Sequence, residues 1–272
     1  MLGKVIKNEI INRYKPICLA YIILLAFSPI CYFLSQVAPD IDHTYITMFI
    51  YLLIAAWGFT VFGTIILICI YPMVDFRNRV FKDQGYLTNT LPVKTSTMMI
   101  GRIIVDILTY ISAAIVIPFA ICIANMDFTI YKKLIEFLLD LIGYITSDVS
   151  YVVVLILVIL ILVTFLAGML LSQWMFNAAY AFGHAFSNHK RIMSVVGMII
   201  FYIIFQIFSV VFLWILSETN ILSDVVINER TDLFDINAAN RFFGVMSIFE
   251  VLATAGLVAI TSWLTKNKLN LE

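Results

Sequence analysis

The residues that could do chemistry in this chain are few and scattered. His184 and Asn188 stand in an H-x-x-x-N string, the half-signature of a prenyl-endopeptidase-type intramembrane protease. That chemistry also needs a paired Glu-Glu motif and a downstream Arg in another span, and no two acidic residues are adjacent anywhere in the sequence. The aspartate cluster that a lipid-phosphate alcohol transferase carries on a span is also missing. His184 and His189 lie five residues apart with no acid or thiol beside them, so they read as ordinary interfacial histidines. Cys18, Cys31, Cys69 and Cys122 all fall in apolar runs without a C-x-x-C pair, and are expected to be small buried hydrophobes. The string from Gly58 to Gly63 and Thr64 is the nearest approach to a phosphate-binding loop, but it lacks the lysine and sits in an apolar run. These residues imply no catalytic group, no metal site and no cofactor held by this chain, and hence no enzyme.

Three charges are placed where charge is expensive. Arg102 and Asp106 are four residues apart near the start of an apolar run, so on a helix they face each other. A structural ion pair snorkelling to the interface is the simpler reading, and coupling to the preceding loop the sharper one. Glu250 lies about two turns inside another apolar run, where an ionised carboxylate must be paired or wetted. It is a candidate for a pathway or gate, against a plain hydrogen bond within the bundle. Pro29 and Pro118 are candidate kinks, and Gly168, Ala253, Gly256 and Ala259 permit close helix contact.

The elements that must position these residues are membrane spans. Of 272 residues 62% are hydrophobic and 12% charged, with a mean hydropathy of +1.02. A soluble domain carries about twice that charge, because it must cover its surface. Apolar runs of spanning length occur at roughly 17–38, 48–74, 103–124, 151–176, 195–216 and 244–264. They are rich in Ile, Val and Phe but lack the two-residue alternation of a membrane barrel, which leaves helices. The expected fold is therefore an all-α membrane protein of six transmembrane helices, forming one domain over 1–272. The apolar run after Pro16 is too long for a signal-peptide core and is expected to remain as the first span.

Lysine and arginine set the orientation. Lys4, Lys7, Arg13 and Lys15, then Arg77, Arg79, Lys82, Lys94 and Arg102, then Lys190 and Arg191, then Lys266 and Lys268, flank alternate ends of the spans. The other flanks hold Lys132, Lys133, Arg230 and Arg241 and are acidic, with Asp40, Asp127, Asp148, Asp224 and Asp232 among them. The expectation is that both termini, 75–98 and 177–194 are cytoplasmic, while 125–150 and 217–243 are external.

Several segments outside the spans carry a pattern. Over 1–15, Leu2, Val5, Ile6, Ile10 and Tyr14 gather on one helical face and Lys4, Lys7, Asn8, Arg13 and Lys15 on the other, as in an interfacial amphipathic helix on anionic headgroups. Residues 128–145 repeat the pattern outside, with Lys132, Glu136 and Asp140 opposite Ile135, Leu138, Leu139 and Ile142. The 217–243 segment is a lid or a solvated connector. The 75–98 segment reads as helix, break, corner and helix. Asp75 to Lys82 extends the second span, Gly85 stops it, Leu91-Pro92 makes an extended corner, and Thr95, Ser96 and Thr97 offer N-caps. Phe76, Phe81 and Tyr86 are read as surface aromatics on a dock for a cytoplasmic partner.

Gly85-Tyr86-Leu87-Thr88 followed by Thr90-Leu91-Pro92-Val93, at the entry to a third span, resembles the small permease subunits of type-2 ABC transporters of Gram-positive bacteria. The plan of a basic N-terminal helix and six spans is similar over the whole chain. Within that family the chain looks most similar to exporters of amphipathic or antimicrobial peptides, such as phenol-soluble modulins. The resemblance implies a multi-pass permease of the bacterial cell membrane. It would pair with a second copy or a paralogue, sit among membrane lipids and bind no nucleic acid. It would be driven by a separate cytoplasmic ATPase that holds the ATP and Mg. Phe81, Gly85, Tyr86, Leu87, Thr88, Leu91 and Pro92 would form the coupling segment. The alternative from a different class is a non-transporting receptor or immunity protein that binds a peptide.

Overall fold

The computed structural model describes residues 2–41, 43–82, 94–125, 151–186, 188–219 and 236–267. Six long helices account for nearly all of them: α1 (Leu2–Val37), α2 (Thr44–Val80), α3 (Thr95–Asn125), α4 (Tyr151–Gly183), α5 (Lys190–Glu218) and α6 (Ile236–Asn267). A single 3-10 turn, Ala38–Asp40, follows α1. All six are long and apolar enough to cross a membrane, and no strand occurs among the described residues. The β-branched spans are helical because lipid offers backbone amides no partner, and only a helix satisfies them within one segment. At about 1.5 Å per residue, the 36-residue α1 and 37-residue α2 are longer than the roughly 30 Å of hydrocarbon they must cross. Their ends therefore extend beyond it.

Burial is arranged for lipid rather than water. Phe59, Phe62, Leu52, Phe208 and Trp214 are exposed, whereas Glu9, Arg13, Arg102, Asp106, Gln173 and Asn177 are buried. At most 33% of any span's most apolar window is buried. Several hydroxyls within the spans return to their own helix: Thr64 donates to the Thr60 carbonyl, Thr109 to Val105 and Thr261 to Leu257, which removes the cost of an unpaired donor in hydrocarbon. Cys31 and Cys122 are buried as expected and Cys69 is half-buried, but Cys18 lies on the exposed face of α1.

The helices gather into two compact units, Met1–Pro72 with Ile100–Leu138 and Met73–Met99 with Leu139–Glu272. In the first, α1 and α3 run parallel in a steady register. Val5 lies against Gly101, Glu9 against Arg102, Arg13 against Asp106 and Tyr21 against Ser112. In the second, α4 packs against both α6 and α5. It runs parallel to α6, where the Asn240 amide donates to the Val153 carbonyl and Gly168 faces Glu250. It forms a tight hairpin with α5, where a Cβ on Gly183 would collide with Ser194 and one on Gly197 with Phe182.

The N-terminal segment departs from expectation. Residues 2–15 are not a separate interfacial helix, because α1 runs unbroken through Pro16 to Val37. Pro16 removes the N–H that would have met the Asn12 carbonyl and its ring crowds that carbonyl, yet the helix continues through it. The faces hold only in part: Lys4, Lys7, Asn8 and Lys15 are exposed and Val5 and Ile6 half-buried, but Leu2, Ile10 and Tyr14 are exposed and the buried line is Glu9, Arg13 and Ile17. At the start of α3, Lys94 occupies the N-cap position and its carbonyl accepts from Thr97 and Met98. Thr95, Ser96 and Thr97 lie inside the helix and do not cap it.

Candidate functional site

Two groups of polar side chains are built into this apolar scaffold, one in each unit. The first is a charge lattice between α1 and α3. The Arg13 guanidinium bonds the Asp106 carboxylate. The Arg13 Nε also stands 3.8 Å from Glu9 Oε2, and Arg102 Nε stands 3.3 Å from Glu9 Oε1. Glu9, Arg13, Arg102 and Asp106 are 5%, 2%, 1% and 0% exposed. Two positive and two negative charges cancel within one contact network. That cancellation is the condition for burying them, since each alone would cost several kcal/mol. Gly101 allows the approach, because a Cβ there would sit 2.8 Å from Val5 Cγ1.

Arg102 and Asp106 were expected to answer each other along α3; each also makes a contact across to α1. Glu9 was not singled out by the sequence reading, and Arg13 was assigned to the headgroup face. A usable signal existed. Glu9 and Arg13 repeat the four-residue spacing of Arg102 and Asp106 with the signs in reverse order, so two parallel helices can match all four charges.

The second group lies where α2, α4 and α5 end together. α2 continues through Asp75 to Val80, as the sequence suggested. Asp75 and Arg79 form a buried pair along it, with Arg79 Nε donating to Asp75 Oδ1 at 2.7 Å. Phe76 meets Trp174 edge-on at 6.0 Å and Phe81 at 5.7 Å, and Phe81 stacks on the His184 ring at 4.4 Å. His184 Nδ1 is 2.9 Å from the Tyr180 carbonyl. Phe76 and Phe81 are buried, so they are not the surface aromatics anticipated. They clamp the end of α2 to α4. His189 takes the left-handed conformation, φ 56°, at the start of α5. Beside the clamp is a cavity of about 510 Å³ lined by Arg77, Lys82, Phe176, Ala179, Tyr180, His184, Arg191, Ser194, Val195 and Met198. The Arg77 guanidinium lies 5.7 Å over the Tyr180 ring.

Glu250 is half-buried on α6. Its Oε1 is 3.4 Å from where a Cβ on Gly168 would stand, and its Oε2 finds no hydrogen-bond partner among the described residues. A largely apolar cavity of about 340 Å³ lies among α4, α5 and α6, lined by Met175, Phe201, Phe205, Phe249, Ala253 and Gly256 among others. Of the expected coupling residues, only Phe81 is described; Gly85, Tyr86, Leu87, Thr88, Leu91 and Pro92 lie outside the described residues. So do 128–145 and most of 217–243. No cluster of three or more metal-ligating side chains occurs among the described residues. No protein-family model matches the chain, and neither a curated protein nor a solved structure does.

Proposed function

We propose that this multi-pass membrane protein is the permease subunit of a bacterial ABC transporter, exporting amphipathic peptides under the drive of a separate cytoplasmic ATPase. The observation that carries the reading is the clamped end of α2. Phe76, Phe81, Trp174 and His184 hold it to α4, so the segment 83–93 leaves from a braced base. A mechanical input delivered there would reach α4 and, through it, α5 and α6. The sequence of that segment, with Gly85-Tyr86-Leu87-Thr88 and Leu91-Pro92, supplies the resemblance, and the distribution of Lys and Arg puts it in the cytoplasm. The α1–α3 lattice fits the same scheme as a rigid strut, and Glu250 fits it as a polar point facing α4. The absence of a phosphate-binding loop in the sequence assigns ATP hydrolysis to a partner chain.

The test is capture of the tagged full-length chain from its native membrane, followed by reconstitution with any ATPase that co-purifies. Peptide-stimulated ATP hydrolysis and ATP-dependent peptide movement across the vesicle membrane are the expected results. A chain that captures peptide but no ATPase would support the receptor alternative and overturn the permease reading.

A further inference from the structure

Among the described residues the buried cations are matched with carboxylates: Arg13 with Asp106 and Glu9, Arg102 with Glu9, and Arg79 with Asp75. Around the 510 Å³ cavity the pattern breaks. Arg77, Lys82 and Arg191 all line it, and none has a carboxylate within ion-pair distance among the described residues. Arg77 and Lys82 are half-buried, so their mutual repulsion is only partly screened by solvent. The cavity also receives the first turns of α5, whose N-terminal dipole adds to the positive field. Among the described residues no anion answers this field.

The lining says which kind of anion. Lys82, His184 and Arg191 stand at the ends of α2, α4 and α5, whereas Phe176, Val195 and Met198 lie further along α4 and α5 toward the middle of the spans. Val195 and Phe176 are exposed, so the apolar part of the cavity opens sideways to hydrocarbon. A free inorganic anion would use the cations and leave this apolar wall empty. A phospholipid would use both, and a volume of about 510 Å³ falls within the range of small-molecule sites, roughly 300–1,000 Å³.

We propose that this cavity binds one anionic phospholipid, its phosphate held by Arg77, Lys82 and Arg191 and one acyl chain lying along Phe176, Val195 and Met198. A basic pocket between membrane helices is the expected form of such a site. The inference rests on membrane embedding alone, so it stands or falls separately from the transport reading.

The test uses the full-length chain in neutral detergent, titrated with phosphatidylglycerol, phosphatidylcholine or inorganic phosphate, with adducts read by native mass spectrometry and stability by thermal unfolding. Phosphatidylglycerol should form a single preferred adduct and raise the melting temperature, while phosphatidylcholine and phosphate do neither. Each cation near an anionic lipid contributes about a factor of five, so Arg77→Gln with Arg191→Gln should weaken phosphatidylglycerol roughly thirtyfold. Lys4→Gln with Lys7→Gln, on the exposed start of α1, should leave it unchanged. Val195→Trp, which fills the apolar wall and keeps every charge, should also block the adduct and covers the case in which the arginine variant fails to fold. Equal binding of phosphatidylcholine, an undiminished adduct in a folded Arg77→Gln, Arg191→Gln variant or in Val195→Trp, or a full stabilisation by phosphate alone would each overturn the proposal.

Discussion

The α1–α3 lattice and the cavity beside α2, α4 and α5 use the same residue types to opposite ends. In the lattice, Arg13 and Arg102 are matched by Glu9 and Asp106, and all four are out of solvent. In the cavity, Arg77, Lys82 and Arg191 gather without a matching carboxylate among the described residues and remain partly exposed. The difference teaches that the setting decides what an arginine does here. Inside the bundle a charge must be neutralised by the protein itself, because nothing else can reach it. At the ends of the helices it can stay unmatched, because water or a headgroup can complete it.

This contrast can be broken or sharpened by substitution. The largest effect is expected at Asp106→Ala, which leaves the Arg13 guanidinium buried beside an apolar methyl. A loss of about 3–5 kcal/mol should appear as a sharp fall in melting temperature and in monodisperse yield, and a near-neutral outcome would deny the lattice its structural role. Phe81→Ala should cost about 3 kcal/mol by emptying the aromatic clamp, and under the permease reading it should also reduce ATPase capture. Stability lost with capture unchanged would detach the clamp from coupling.

A smaller quantity separates network from pair. Glu9→Gln and Arg102→Gln should together cost less than the sum of the single variants, with a coupling of about 1–3 kcal/mol, read from thermal unfolding of all four species. Strict additivity would mean that the 3.3 Å contact carries nothing. The smallest effect is expected at Arg77→Gln in neutral lipid. Its stability should stay within about 0.5 kcal/mol of the parent, because no carboxylate among the described residues is orphaned. A loss comparable to that of Asp106→Ala would place Arg77 in a structural pair and erase the distinction between the two regions.

Much of the architecture was legible in advance, and for a simple reason. A span must be apolar for about twenty residues whatever it packs against, so each of the six runs read from the sequence falls within one helix, save that the first overruns α1 at Ala38. The extension of α2 through Asp75 to Val80 was readable for a similar local reason, since no glycine or proline interrupts it after Pro72. The candidate site was harder to see. The exposure of Ile10 and Tyr14 and the burial of Glu9 and Arg13 could not be read from amphipathicity, which assumes that the polar face meets water. In α1 the two charges that meet α3, Glu9 and Arg13, turn inward while Lys4, Lys7 and Lys15 stay exposed. Phe76 and Phe81 were misread by the same rule, because a mixed-charge flank suggests a surface while α4 in fact covers them.

By itself, the sequence determined the six spanning helices found among the described residues, their approximate extents and the lack of a phosphate-binding loop. Each of these follows from composition within one window of chain. Only the tertiary structure decided which charge answers which, that Gly101 brings α1 close enough to match Glu9 and Arg13 to Arg102 and Asp106, and that Arg77, Lys82 and Arg191 surround a common cavity. Those facts join residues about 90 or more positions apart. Helix register and rotation arise from packing between elements, and no local window contains them.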